Sequence, residues 1–164
     1  MAIFIKKIGF VMNNAELIEN FYRAFQSKDY ISMQNSYAPD ATFSDEVFQN
    51  LNGVEAGKMW EMLIKAGKDM ELKYQILESK DDTIKARWIA KYTFSKTGRM
   101  VINDIKAEFK IKDGKIIRHR DKFDFYKWSR QALGFSGLLL GWTLFLKNKV
   151  RATAMSGLKK FIEK

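Results

Sequence analysis

The chain predicts an α+β cone: helices first, then a strongly curved mixed sheet wrapped on them around one pocket, then a helical C-terminal extension. Three observations carry this expectation. Leu17, Ile18, Phe21, Tyr22 and Phe25 recur at helical spacing and form one apolar face. Over residues 72–126 apolar and polar residues alternate with a period of two, the mark of half-buried strands. The only proline, Pro39, separates the opening helices from a short strand that ends on Asp45.

The elements follow in order. Asn13 and Glu16 form an Asn-x-x-Glu capping-box pattern at the start of the first helix. Ser27-Lys28-Asp29 breaks that helix, and Asp29 can cap a second one carrying Tyr30, Ile31, Met33 and Tyr37. Pro39 disfavours helix at Ala38 and ends the pair. Residues 41–45 read as a strand with Phe43 and Asp45 on one face. After a loop at 50–53, a third helix runs over 54–66, with Met59, Trp60, Leu63 and Ile64 on its apolar side. Leu72, Tyr74 and Ile76 mark the next strand. Ile84, Ala86, Trp88, Ala90, Tyr92 and Phe94 then alternate with Lys85, Arg87 and Lys91. Past the turn at Lys96-Thr97-Gly98, Val101, Asn103, Ile105, Ala107, Phe109 and Ile111 form another inner face. Asp113-Gly114 is a hairpin signal. The last strand, over 115–126, turns Ile117, His119, Asp121 and Phe123 inward and Arg118, Arg120, Lys122 and Asp124 outward. In the tail, Gly134, Gly137 and Gly141 interrupt an apolar run, and a basic amphipathic helix over 148–163 closes the chain.

At 164 residues this is one domain with a real core. The expected layout is an N-terminal extension at 1–12, the cone at 13–126 and the helical extension at 127–164. Met12 stands directly before a good helix start, so translation is expected to begin there. No cysteine is present, which excludes disulfides and thiolate nucleophiles. A single histidine leaves too few ligands for a zinc site, so neither a metal nor a cofactor is expected. No secretion signal or bilayer-spanning run is evident, and a cytoplasmic location is expected. Residues 1–100 carry 14 Lys/Arg against 13 Asp/Glu, and residues 101–164 carry 15 against 6. The basic excess therefore sits late in the chain. No dense Lys/Arg run occurs, so a solvated basic surface is favoured and no nucleic-acid partner is expected.

Few polar residues are expected to face the pocket: Asp45, Asn103, His119 and Asp121. A polar group left unsatisfied on an apolar face costs roughly 1–3 kcal/mol, so these are paired, used, or both. Asp45 is the candidate general base, since a carboxylate in an apolar cavity has a raised pKa. The plainer alternative is a cap on a turn at the strand end. His119 can donate or accept a proton near neutral pH, and Asp121 points the same way. The alternatives are a satisfied core histidine and an Asp121 that only orients the ring. Asn103 can orient a ligand carbonyl or bond to backbone. Phe43, Trp60, Trp88, Tyr22 and Tyr92 are simplest as core, yet some must line any cavity, and the two tyrosines can hydrogen-bond a ligand.

The order helix, helix, Ala38-Pro39-Asp40-Ala41-Thr42-Phe43-Ser44-Asp45, helix, long strands and Asp113-Gly114-Lys115-Ile116 resembles the cystatin-like, nuclear transport factor 2-like superfamily. Within it the chain looks most like the SnoaL-like (polyketide cyclase-like) and ketosteroid isomerase-like members, over residues 13–126. This fold hosts isomerases, dehydratases, epoxide hydrolases, cyclases and non-enzymatic binders. In ketosteroid isomerases an Ala-Thr-x-x-Asp strand supplies the base, here Asp45. Their oxyanion-hole Tyr and protonated Asp fall at Phe21 and Ala107, so both donors are missing, with Tyr22 adjacent to the first. The acidic residue and His of the cyclases resemble Asp121 and His119. The Asp–His pair of the dehydratases matches Asp45 and His119. An epoxide-hydrolase Asp–Arg–Asp set is disfavoured, because Arg118 and Arg120 point outward.

The expectation is thus a cofactor-free isomerase, cyclase or dehydratase acting on a lipophilic small molecule, with Asp45 and His119/Asp121 moving protons. The alternative is a ligand-binding or scaffold domain. The resemblance also implies a homodimer through the outer sheet face. The apolar tail beside Lys147, Lys149 and Arg151 is expected to cover the cone mouth or a dimer seam, in preference to a membrane surface.

Overall fold

The computed structural model describes residues 13–164; the expected extension at 1–12 and the start at Met12 lie outside the described residues. The elements are α1 (Asn14–Gln26), α2 (Tyr30–Asn35), β1 (Tyr37–Ser44), β2 (Leu51–Asn52), α3 (Gly53–Ala66), β3 (Glu71–Lys80), β4 (Thr83–Phe94), β5 (Arg99–Lys112), β6 (Lys115–Lys122), α4 (Phe125–Leu133), α5 (Phe135–Leu140) and α6 (Leu144–Ile162). One curved six-stranded sheet runs in the order β2-β1-β6-β5-β4-β3. Every neighbouring pair is antiparallel except β1 and β6, which run parallel. This is the predicted α+β cone with a helical extension.

Local chemistry sets the boundaries. Asn13 caps α1 by accepting from the Ala15 N–H, and Asp29 caps α2 by accepting from the Ser32 N–H. The reciprocal capping box forms at Asn52 and Glu55, at the head of α3, and not at Asn13 and Glu16. The second helix stops at Asn35, so Tyr37 opens β1 instead of continuing a helical stripe. Pro39 lies between Tyr37↔Ile116 and Thr42↔Arg118, where the ladder shifts register, so its missing N–H interrupts no paired position. A second shift falls between Lys110 and Ile111. It exchanges side-chain parity, and Ile116 takes the buried place expected for Ile117. The last strand ends at Lys122, because Asp124 accepts from the Lys127 N–H and starts α4.

The core lies between α1, α3 and the concave sheet face. Leu17, Ile18, Phe21, Tyr22 and Phe25 of α1 are all buried there. The convex face carries cross-strand ion pairs, with Arg87 to Asp104 at 2.6 Å, Lys85 to Glu78 at 2.8 Å and Arg118 to Glu108 at 3.1 Å. In the extension, α4 packs on β5, α5 on α4, and α6 on α3. Among the described residues no helix is long and apolar enough to cross a membrane, and no group of three or more His, Asp or Glu is placed to hold a metal ion.

Two glycines give opposite expectations. A Cβ on Gly53 would lie 1.9 Å from the Ala38 carbonyl oxygen, whereas one on Gly157 would meet nothing within 4 Å. Gly53→Ala is therefore expected to lower stability by roughly 1–3 kcal/mol through overpacking. Gly157→Ala in α6 is expected to raise it by up to about 1 kcal/mol, through helix propensity. Chemical denaturation of the two variants checks the signs.

Candidate functional site

The concave face does not fill completely. A cavity of about 670 Å³ remains, walled by Trp60 and Leu63 of α3, Trp88 and Tyr92 of β4, and Asn103 and Ile105 of β5. Leu146, Val150 and Ala154 of α6 close it from the far side, with Trp128 and Leu133 of α4. The lining is chiefly apolar with a few placed polar groups, the usual make-up of a small-molecule site. Asp45 and Asp121 both reach it.

Asp45 sits one residue beyond the end of β1. Its Oδ1 accepts from the Val47 and Phe48 N–H groups, each at 2.6 Å. The turn-capping reading is thus realised, and on the same side chain the second carboxylate oxygen receives no hydrogen bond from the described residues. Burial lifts the Asp45 pKa to about 7, against the lowering pull of the two N–H donors and with a smaller push from the Asp121 and Glu46 charges. Desolvation of a carboxylate outweighs two backbone hydrogen bonds here.

Asp121 arrives on β6 with a hydrogen-bonded chain behind it. Trp60 Nε1 donates to Tyr37 Oη at 2.9 Å. Tyr37 Oη lies 2.7 Å from His119 Nδ1, and His119 Nε2 lies 2.9 Å from Asp121 Oδ1. An indole N–H can only donate, and the Tyr37 hydroxyl has one proton to give. The arrangement that satisfies every group has Tyr37 donating to Nδ1 and His119 donating from Nε2 to Asp121. Burial pushes the Tyr37 hydroxyl pKa well above its ordinary value, so that proton stays on. His119 is 1% exposed, with the Phe109 ring centroid 4.0 Å from its own and Phe43 edge-on at 4.9 Å. It does not line the cavity; Asp121 stands between.

Tyr92 repeats the logic on the opposite wall. Trp128 Nε1 donates to Tyr92 Oη at 3.0 Å. The Tyr92 O–H has no acceptor among the described residues, and Tyr92 lines the cavity. Burial raises its pKa, and the nearby Asp45 charge raises it further. The Asn103 amide also lines the cavity and has no hydrogen-bond partner among the described residues.

Of the residues singled out in the sequence, Asp45, Asp121, Asn103, Trp60, Trp88 and Tyr92 line one cavity. His119, Tyr22 and Phe43 lie in the packed core behind it. Tyr22 stacks on Tyr74 with centroids 4.8 Å apart, and its hydroxyl is buried without a partner, as is Trp88 Nε1. Sequence reasoning missed Tyr37 and Trp128. The signal for Tyr37 was its place two residues before Pro39, which favours extended chain; Trp128 lies outside the alternating strands and offered none. The tail contributes Ser136, Leu146, Lys149 and Val150 to the wall, but the apolar run expected to cover the cone does so only through Leu146, and Leu138, Leu139, Leu140, Trp142, Leu144 and Phe145 are exposed.

The SnoaL-like domain family matches residues 18–119, well over half of the chain. No curated protein matches. Among solved structures, IdmH of Streptomyces antibioticus, assigned as a polyketide cyclase, is similar at 21% identity and a TM-score of 0.58, over 72% of this chain and 96% of that one. An NTF2-like protein of unknown function from Burkholderia pseudomallei gives 16% identity and 0.63, over 73% and 97%. An M. tuberculosis LEH-like epoxide hydrolase gives 17% and 0.57, over 81% and 94%. These identities speak for the fold, and the match over residues 18–119 decides the family: the chain belongs to the SnoaL-like domain family.

Proposed function

We propose that the protein is a cofactor-independent proton-transfer enzyme of the isomerase, cyclase or dehydratase kind, acting on a lipophilic carbonyl compound. One observation carries the reading: an apolar cavity holds a carboxyl group lifted to about pKa 7, and a hydroxyl whose one protein partner is itself a donor. Asp45 is the base, its free oxygen taking a proton from the carbon beside the substrate carbonyl. The electron pair moves onto the carbonyl oxygen. The Tyr92 hydroxyl and the Asn103 amide donate to that oxygen, in place of the donors absent at Phe21 and Ala107. Asp121 accepts from a substrate hydroxyl, and His119 with Tyr37 holds its carboxylate in position. His119 acts through Asp121 and is a positioning residue. Trp60 and Trp88 supply apolar walls.

The test is exchange of α-hydrogens for deuterium, followed by NMR, on a panel of lipophilic cyclic ketones and lactones. Wild-type protein is expected to speed exchange. Asp45→Asn is expected to lose roughly 10²–10⁴-fold, the usual worth of a general base. Tyr92→Phe is expected to lose less, through a weaker hold on the oxyanion. No exchange with any ketone, alongside ligand-dependent thermal shifts, would move the assignment to the non-catalytic ligand-binding domain.

The pH dependence has a definite sign. A base works when deprotonated, so the rate is expected to rise with pH and level off above about 7. Flat activity from about pH 5 to 9 would remove Asp45 from the role.

Stability moves the opposite way. Unfolded, Asp45 ionises near an ordinary carboxyl value; folded, it keeps its proton up to about pH 7. Unfolding therefore releases a proton between those limits, and stability declines across that window as pH rises. Asp45→Asn abolishes the decline, since an amide oxygen can still accept from Val47 and Phe48. The variant is expected to match wild type near pH 4 and to exceed it by on the order of a few kcal/mol at about pH 8, read from denaturation midpoints.

A further inference from the structure

α5 reverses the habit of a surface helix, with glycine against the protein and leucine towards solvent. A Cβ on Gly137 would lie 1.9 Å from the Ser129 carbonyl oxygen, and one on Gly141 would lie 2.1 Å from Ser129 Oγ. Backbone thus rests on α4 at both points, over a fully buried Ser129. Tyr126 Oη ties the helix down by donating to the Leu138 carbonyl at 3.2 Å. With its small residues committed inward, α5 and the turn into α6 present their large apolar residues outward. Phe135, Trp142, Leu144 and Phe145 are between 70% and 75% exposed, and Leu139 is 53% exposed. So much clustered apolar surface marks a contact site.

The charge around it has one sign. Residues 125–162 contain seven Lys/Arg and no Asp or Glu. Lys147 and Arg151 turn back to Glu46, on its carboxylate and its carbonyl respectively. Lys127 and Arg130 are exposed on α4, against which α5 packs, and further along α6 Lys159 pairs with Glu163 while Lys160 is exposed. Trp142 Nε1 donates to the Leu139 carbonyl at 3.0 Å, so the exposed indole is already satisfied at its polar end.

We propose that this corner, α5 with the first turns of α6, docks on the surface of an anionic lipid bilayer. An apolar tip flanked by exposed cations on α4, in a segment without acids, is what such an interface binds. A second copy fits less well, because a two-fold contact through this patch would set a cation-rich, acid-free segment against itself. No helix among the described residues can span a bilayer, so the attachment is interfacial. The inner sides of the same helices carry Ser136, Leu146 and Val150, which line the cavity. Docking therefore brings a cavity wall to the lipid boundary, the phase in which a lipophilic ligand resides. The docking surface stands independently of the proton-transfer reading.

The experiment is co-sedimentation of the full chain with vesicles of phosphatidylcholine alone, and of equimolar phosphatidylcholine and phosphatidylglycerol. Binding is expected on the mixed vesicles, weak on the neutral ones, and reduced by salt as screening tightens. Trp142→Ser with Phe145→Ser is expected to cut the partition coefficient by about tenfold or more, with an unchanged melting midpoint. Leu139→Ser with Leu144→Ser, a second pair on the same patch, must show the same loss. Lys127→Glu with Arg130→Glu is expected to erase the preference for the anionic vesicles. Folded wild type left in the supernatant with mixed vesicles would overturn the proposal, as would serine variants that bind undiminished. A wild-type dimer that either serine pair converts to monomer would assign the patch to a second copy and overturn it equally.

Discussion

The indole N–H of Trp60, given to Tyr37, orders much of the molecule. A group that can only donate leaves the Tyr37 hydroxyl proton free for a second bond. In the arrangement that satisfies every group, Tyr37 donates to His119 Nδ1 and His119 donates from Nε2 to Asp121. Four side chains from α3, β1 and β6 are locked into one arrangement, deep in an aromatic core. The parallel pairing of β1 and β6 belongs to the same device. Its register sets Phe43 opposite His119, and one step beyond Ser44 and Arg120 come Asp45 and Asp121. The two carboxylates reach one cavity because a buried hydrogen-bond chain and a strand register agree.

The cost of that arrangement is local. Asp45 is desolvated beside another acid, and the Tyr22 hydroxyl and Trp88 Nε1 are buried without partners. Each of these works against folding, and all three flank the cavity or the packing directly behind it. The compensation comes from the aromatic core, where Phe21 makes edge-on contacts with Tyr22, Tyr37, Trp60, Phe109 and His119. Phe21 also occupies the position at which the resemblance led us to look for an oxyanion donor. A ring packed edge-on is present where a hydroxyl was sought, and a hydroxyl faces the cavity from β4 instead.

What could be read from the sequence followed periodicity. A strict period of two placed Trp88, Tyr92, Asn103 and Asp121 on one face, and all four line the cavity. The same rule placed Ile117 inward, and failed there because a register shift at Lys110 and Ile111 exchanges parity, which no local pattern announces. Tyr37 was misread for a related reason: four residues after Met33 it continues a helical stripe, and the turn at Ser36 that ends the helix is a matter of backbone geometry. His119 fell on the predicted face, but facing inward did not decide whether it met the cavity or the core. The bond from Trp128 to Tyr92 spans 36 residues and exists because the tail folds back, which periodicity cannot express.

The match to the family ends at residue 119, whereas a whole side of the cavity is built from residues 128–157. The cavity's polar groups Asp45, Tyr92, Asn103 and Asp121 thus stand on the cone, and much of its apolar wall comes from the tail. Selection can rework the second with little effect on the first. Swapping or resizing side chains along α6 would change which molecules fit while leaving the buried carboxylates in their register. A tail of this kind gives the cone a separate and evolvable dial for the shape of its cavity.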